Sequence, residues 1–456
     1  MTEKLNYKKI YIIGIEGSGT SALALMYRSM GMDVFGSDEG DHFYKEMLIS
    51  NDIETFDKYE KEHISEDFDL IVHSTSIQED NLELVEARAG DLRVLSYPEA
   101  LAELFNSKKG IAVSGTHGKT TTTAMLATMM KKIGAAPSAI VGSKVIEWDK
   151  NSIFGKGDYF VIEADEYQNK LKYYNPWAVI LTSVDYDHPD FYKTFDDYKK
   201  AFVDFVKKIP SAGFLVYCND SRDVIEVVKN ANCKKASYGF TDDSDYRIVI
   251  KKGKKLKIFE IIYKEEALGI FETKSPGRHN MLNAAAAIAL CNEIGLEAFL
   301  AGKFLSSFEG TSRRFERIGT RNGAILIDDY AHHPEAIVTT LKTVREIYEG
   351  KNIITVFHPH SFSRTEALLS EFSQSFENTN QLIVLDIYGS REKSGGVSSE
   401  DLVRLVNKYD RNKAVNIATV EEVIAKLKDK LDENDVVISM GAGDVWRVTH
   451  GLIDKK

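Results

Sequence analysis

GIAVSGTHGKTTTTAMLATMMKKI, residues 110–133, decides the reading of this chain. A short apolar run, Ile111-Ala112-Val113, meets the glycine loop Gly115-Thr116-His117-Gly118-Lys119-Thr120. Beyond it Ala124, Met125, Leu126, Met129 and Met130 recur at helical spacing. The order is strand, glycine loop, helix. Glycines let backbone N–H groups turn toward an anion, and the helix N-terminus adds partial positive charge. Lys119 can neutralise terminal phosphate oxygens, and Thr120 can put its hydroxyl on Mg²⁺. The loop is shorter than the general pattern G-x-x-x-x-G-K-[ST], because Val113 stands where that pattern has glycine. A glycine-lysine-threonine triplet alone could mark a flexible turn. With a strand before it and a helix after it, the expectation is ATP phosphate binding by Gly115, Thr116, His117, Gly118, Lys119, Thr120 and Thr121.

Around this loop lie 456 residues, room for about three domains. Hydrophobic content of 43% without low-complexity segments fits an ordinary globular protein. With 58 basic against 69 acidic residues the net charge is −11, which argues against coating nucleic acid or an anionic membrane. Anionic ligands must then be held by local clusters. Cys218, Cys233 and Cys291 lack metal-ligand spacing and are odd in number for disulfides, so a reducing compartment is expected. The N-terminus, MTEKLNYKK, carries no signal-peptide pattern, and no apolar run approaches the ~18 residues of a membrane helix. The expected location is the cytoplasm.

The chain opens with a strand over residues 9–13, the loop Gly14-Ile15-Glu16-Gly17-Ser18-Gly19, a helix through Leu23 and Met26, and a strand ending at Ser37-Asp38. An acid about twenty residues past such a loop is the layout that brings a carboxylate to a sugar hydroxyl. The dinucleotide pattern G-x-G-x-x-G needs glycine where Glu16 stands. A nicotinamide oxidoreductase is disfavoured on that ground, while the diphosphate of another nucleotide remains open. A strand at 70–72 ends in His73-Ser74-Thr75-Ser76, hydroxyls where a doubly wound sheet puts its ligands. His73 there reads equally as a solvated turn residue.

After the central loop, the strand 159–162 runs into Glu163-Ala164-Asp165-Glu166. Acids beside a phosphate loop suit Mg²⁺, which takes oxygen ligands shared with phosphate and water, and Glu163 is the expected ligand. A strand at 178–181 leads to Asp185-Tyr186-Asp187-His188, where His188 is a ligand or only a hydrogen-bonder. Lys251, Lys252, Lys254, Lys255 and Lys257 alternate with apolar residues, so they read as the solvated face of a hairpin rather than a nucleic-acid patch. Asn280 and Asn283 share one side of a helix's first turn, as caps or as amides reading a purine edge. Arg313 and Arg314 offer forks that match phosphate oxygens, though a surface ion pair explains them as well. Beyond them, four strands end in polar clusters: Asp328 to Pro334, His358 to Thr365, Asp386 to Tyr388 and Gly441 to Asp444. Such edges are where open α/β sheets bind ligands.

Taken together, Gly115 to Thr121, Glu163 to Glu166, Asp187-His188, His279-Asn280 with Asn283, Arg313-Arg314-Phe315, Asp328 to Pro334 and His360 to Thr365 resemble, in order and spacing, the Mur ligases. The resemblance covers essentially the whole chain. It implies an α/β fold of three domains, each an open, mostly parallel sheet with helices. These would be a Rossmann-like UDP-sugar domain over 1–107, a P-loop ATP domain over 108–311 and a Rossmann-like amino-acid domain over 312–456. DDYAHHP, FHPHSFSRT and the final GAGD most resemble the member that joins L-alanine to the lactyl carboxylate of UDP-N-acetylmuramate. EADEYQNKL is closer to the recycling member, which attaches a whole tripeptide. The family's opening loop reads GxGGSG, and Glu16 departs from it.

The resemblance also implies roles. Lys119, Arg314 and two Mg²⁺ ions on Thr120, Glu163 and His188 would hold charge on the transferring phosphoryl group. Asn280 and Asn283 would read adenine, and Asp328 or Asp329 the ribose of ATP. His333 and Arg364 would take the amino acid. Gly14, Gly17, Ser18 and Gly19, with Asp38, His73 and Ser74 nearby, would take the UDP-sugar. A non-catalytic nucleotide switch would leave the polar strand ends of the third unit without purpose.

Overall fold

The computed structural model describes residues 7–40, 42–251, 258–389, 392 and 395–454. Lys252 to Lys257 of the expected lysine-rich hairpin lie outside the described residues, as do residues 1–6 of the polar N-terminus. The strands fall into three sheets, taken in turn along the chain.

The first sheet holds β1 (Lys9–Ile13), β2 (Asp33–Ser37), β3 (Glu54–Phe56), β4 (Leu70–His73) and β5 (Val94–Ser96). All are parallel, in the order β3-β2-β1-β4-β5. The winding reverses between β1 and β4, so the loop after β1 and the end of β4 at His73, followed by Ser74, open at one carboxyl edge. Ile10, Tyr11, Ile12 and Ile13 are all fully buried, because a central parallel strand is covered on both faces. The helix Ser18–Ser29 is buried without a break from Thr20 to Tyr27. Its outer side packs on the second sheet, where Asn151 Nδ2 donates to Ser18 O at 2.9 Å and to Ser21 Oγ at 3.0 Å.

The second sheet contains β6 (Lys109–Ser114), β7 (Ser138–Val145), β8 (Lys150–Ile153), β9 (Tyr159–Glu163), β10 (Ala178–Leu181), β11 (Phe214–Cys218), β12 (Lys234–Gly239), β13 (Tyr246–Ile250), β14 (Ile258–Tyr263) and β15 (Glu266–Glu272). Their order is β15-β14-β13-β12-β11-β10-β6-β9-β7-β8, parallel from β13 to β7 and antiparallel at both ends. β6 is central, and the helix Lys119–Lys132 springs from its loop against the helix Arg278–Glu293. Ala284 to Ala287 are all fully buried there, since small side chains let two helices approach. In the hairpin β13–β14, Ile248 and Ile261 face inward as registered partners.

The third sheet holds β16 (Glu316–Arg321), β17 (Ala324–Asp329), β18 (Asn352–Phe357), β19 (Gln381–Val384), β20 (Ala414–Asn416) and β21 (Asp435–Met440). Its order is β16-β17-β21-β18-β19-β20, parallel except for β16, with an apolar core on each face. No helix among the described residues is long and apolar enough to cross a membrane.

Candidate active site

Beyond β6 the chain turns through Gly115 to Gly118, whose φ is +79°. That left-handed conformation suits glycine, and a Cβ at Gly118 would lie only 2.5 Å from Asn283 Oδ1. The loop is braced from the end of β10. Thr116 N donates to Ser183 O at 3.1 Å, His117 N to Ser183 Oγ at 2.9 Å and Thr116 Oγ1 to Asp185 O at 2.9 Å.

Lys119 and Thr120 begin the helix, and both reach the end of β9. Lys119 Nζ donates to Gly115 O at 2.5 Å and to Glu166 Oε2 at 3.1 Å. Glu166 is buried and also accepts from Tyr198 Oη at 2.8 Å. Burial alone would lower the Lys119 ammonium, but Glu166, Asp165 and Glu163 hold it above its ordinary value, so it stays charged. The Thr120 hydroxyl donates to Glu163 Oε1 at 2.9 Å and accepts from Arg314 Nη2 at 3.1 Å. Glu163 Oε2 takes the Gly142 N–H at 2.8 Å.

These groups open into a cavity of about 610 Å³ between the second and third sheets. It is lined by Thr116 to Thr121, Glu163, His188, Asn280, Asn283, Arg314, Asp329, His333 and Arg364, so most residues singled out from sequence meet in one place. Asn283 Nδ2 donates to Asn280 Oδ1 at 3.2 Å, and Asn280 Nδ2 to Pro276 O at 2.8 Å. The two amides order each other and still border the cavity. From the third sheet, Arg364 drives its guanidinium onto Asp187 Oδ1, Nη2 at 2.9 Å and Nε at 3.1 Å. Burial would raise the Asp187 carboxyl, yet Arg364 and His188 hold it well below the usual range. Burial pushes the His117 imidazole down to about 3 and His360 to about 4, and lowers His333 as well, so these rings are neutral near pH 7.

A second cavity of about 250 Å³ joins all three sheets. Glu16, Gly17 and Ser18 come from the first, Ser143 from the second, and Arg313, Tyr330 and Trp446 from the third. Phe43 meets Trp446 edge-on at a centroid distance of 5.3 Å and closes one side. Arg314, Tyr330 and Ala442 line both cavities.

Some expected residues lie elsewhere. Asp328 does not reach the nucleotide-sized cavity: it is fully buried, accepting from Arg313 Nε at 3.2 Å and Ser439 Oγ at 2.8 Å. Successive strand residues point to opposite faces, and only Asp329 faces the cavity. His73 ends β4 and Ser74 follows it, but neither lines a cavity; Ser74 Oγ bonds Ser76 Oγ at 2.8 Å. Gly14 and Gly19 are not in the lining either, and Gly19 serves packing, since a Cβ there would meet the Tyr97 ring at 2.6 Å. Asp38 holds the loop by accepting Glu16 N at 2.8 Å and Tyr59 Oη at 3.0 Å. His188 groups with Asp165 and Glu166, their ligand atoms within 4.8 Å of one another, rather than with Glu163. His117, Asp185 and Glu335 form a similar cluster.

Sequence reasoning passed over three participants. Tyr198 reads as one more apolar residue of the helix Phe195–Val206, yet its hydroxyl bonds both Glu166 and Thr116 Oγ1, each at 2.8 Å. Glu166 stands in the same acidic run as Glu163, and its pairing with Lys119 has no linear signature. Asp187 reads from sequence only as a neighbour of His188, since its partner Arg364 lies in another unit.

The chain is similar to known proteins along nearly its whole length. Residues 9–109 match the description "Mur ligase family, catalytic domain", 113–291 "Mur ligase middle domain" and 313–443 "Mur ligase, glutamate ligase domain". The chain is 36% identical over 448 residues to UDP-N-acetylmuramate--L-alanine ligase of Carboxydothermus hydrogenoformans, covering 98% of this chain and 96% of that protein. The solved UDP-N-acetylmuramate-alanine ligase of Thermotoga maritima shares the fold at TM-score 0.83 and 24% identity, over 98% of both chains. A murein peptide ligase of Psychrobacter arcticus follows at TM-score 0.77 and 25% identity, again over 98% of both. With three successive domain matches and a relative similar along nearly its whole length, the chain belongs to the Mur ligase family, whose members are ATP-dependent amide-forming ligases.

Proposed function

We propose that the protein is an ATP-dependent ligase joining L-alanine to the lactyl carboxylate of UDP-N-acetylmuramate, in peptidoglycan precursor synthesis. The observation that carries this reading is the meeting of Lys119, Thr120 and Glu163 with Arg314, His333 and Arg364 around one cavity. The 36% identity to a ligase of that name supports the choice of substrates.

A free carboxylate does not form an amide unaided; it needs a leaving group. In this reading a lactyl carboxylate oxygen attacks the γ-phosphorus of ATP, the bond to ADP breaks, and an acyl phosphate forms. The amine of L-alanine attacks the acyl carbon, and inorganic phosphate departs. Lys119 and Arg314 hold the developing charge on the phosphoryl oxygens. Asn280 and Asn283 border adenine, and Asp329 the ribose. His333, neutral by burial, is the group we assign to receive the proton lost as the ammonium of alanine becomes a nucleophile. Arg364, held by Asp187, faces the amino-acid carboxylate. The hard oxygen donors Thr120 and Glu163 fit one Mg²⁺, and His188 with Asp165 and Glu166 a second, where the ions would neutralise phosphate and carboxylate charge. The smaller cavity takes the UDP-sugar, with Gly17 and Ser18 at its diphosphate. The reaction belongs in the cytoplasm, with soluble substrates.

Phosphate release on UDP-N-acetylmuramate, measured against a panel of amino acids and the recycled tripeptide, tests this. L-Alanine should turn over fastest. Turnover with the tripeptide alone would overturn the acceptor and favour the recycling reaction, which the run EADEYQNKL and the likeness to a murein peptide ligase support.

A further inference from the structure

Glu16 stands in the loop after β1 and lines the smaller cavity. It is 2% exposed, and neither carboxylate oxygen finds a hydrogen-bond partner among the described residues. Buried polar groups are ordinarily paired, so an orphaned pair of oxygens in a ligand cavity marks a missing partner. The charged groups around it are already committed. Asp38, ending β2, accepts the N–H of Glu16 itself at 2.8 Å. His42 lies 3.5 Å from Asp38, Lys45 bonds Asp57 at 2.5 Å, and Arg313 bonds Asp328 at 3.2 Å. Arg314 reaches Thr120 at 3.1 Å, while Asp444 lies 3.2 Å from His358.

Such a residue is out of keeping with an anion. A glycine loop at the carboxyl edge of a parallel sheet offers N–H groups to phosphate, and a carboxylate there would repel it. No donor lies between two sets of anionic oxygens unless one of them is protonated. From this geometry we propose that Glu16 is a substrate-binding residue which meets the diphosphate of the sugar nucleotide as a carboxylic acid, donating a hydrogen bond to a phosphate oxygen. Substrate is then bound together with one proton, taken from solvent. This rests on the reading of the smaller cavity as the UDP-sugar site. Burial, helped by the Asp38 charge, already pushes the Glu16 carboxyl up from its usual value. The anionic ligand pushes it further.

The complex holds more protons than the free protein, so affinity falls as pH rises through the window between the free and bound values of Glu16. The slope approaches about tenfold per pH unit at most. Below that window affinity is flat.

Calorimetric titration of UDP-N-acetylmuramate into the full chain, in two buffers of different ionisation heat at pH 7 and pH 8, counts the protons. The wild type should take up a proton fraction approaching one at one of these pH values. Glu16→Gln, which carries its own N–H donor, and Glu16→Gly, which restores the family's loop, should each lose that uptake and bind with little pH dependence. Repeating the comparison in a His42→Asn background removes the titration of that imidazole. Wild-type uptake near zero at both pH values, or equal uptake by the wild type and a variant that binds, overturns the proposal alone. A wild type that binds ATP but no UDP-N-acetylmuramate overturns the functional reading, and the proposal with it.

Discussion

Arg364 and Asp187, 177 residues apart in the chain, meet at 2.9 Å with both side chains buried. The pair ties the helix after β18 to the loop after β10, across the wall of the larger cavity. Removing one partner leaves the other charge buried and unpaired, a cost of about 3–5 kcal/mol in such pairs. Arg364→Ala and Asp187→Ala should therefore each lower ADP release by ~10²-fold or more. The double variant should be little worse than either single one. Strictly additive losses in this cycle would show that the two residues act independently.

Lys119→Ala should abolish ADP release while the protein still binds UDP-N-acetylmuramate. Loss of one preorganised charge at a transferring phosphoryl group costs ~10²-fold or more in rate. Turnover near the wild-type rate would sink the phosphate assignment.

Gly118→Ala places a side chain at φ +79° and a Cβ 2.5 Å from Asn283 Oδ1. The backbone term alone is about 1–2 kcal/mol. Thermal melting should fall, and ATP affinity should fall with it because Asn283 is displaced. Adding Asn283→Ala should recover part of the stability and none of the affinity. An unchanged melting curve for Gly118→Ala would contradict the loop geometry.

His42 holds its proton through Asp38. Its bond to Asp38 raises it from 6.5 to about 9, so its stabilising contribution is complete below the ordinary value and is lost as pH rises toward 9. The imidazole is 45% exposed, so the contribution is screened to about 1 kcal/mol or less. An NMR titration should find the His42 midpoint well above that of a free histidine, and Asp38→Asn should bring it back to about 6.5.

Much of this is legible in the sequence. The strand-loop-helix at Gly110 to Ile133 and the acids after β9 declare themselves because their chemistry is local: glycine where the backbone must turn, lysine and threonine at a helix start, carboxylates at a strand's end. What stayed hidden was non-local or two-sided. The edge strands β8 and β20 are short, and the edge strand β16 carries weak alternation. Asp328 and Asp329 cannot be told apart until the face of β17 is known. Tyr198 looks like core because its ring is core; only its hydroxyl reaches Glu166. Glu16 is visible in the sequence as a departure, but its lack of a partner among the described residues shows only with three units folded around it.

The shared wall of the two cavities ties the fates of their occupants. Arg314, Tyr330 and Ala442 border both, so on the proposed assignment a shift of any of them toward one guest alters the surface the other meets. Any factor by which nucleotide tightens the grip on sugar must be returned in equal measure. On the proposed assignment of the two cavities, that coupling is read equally well from either ligand's titration.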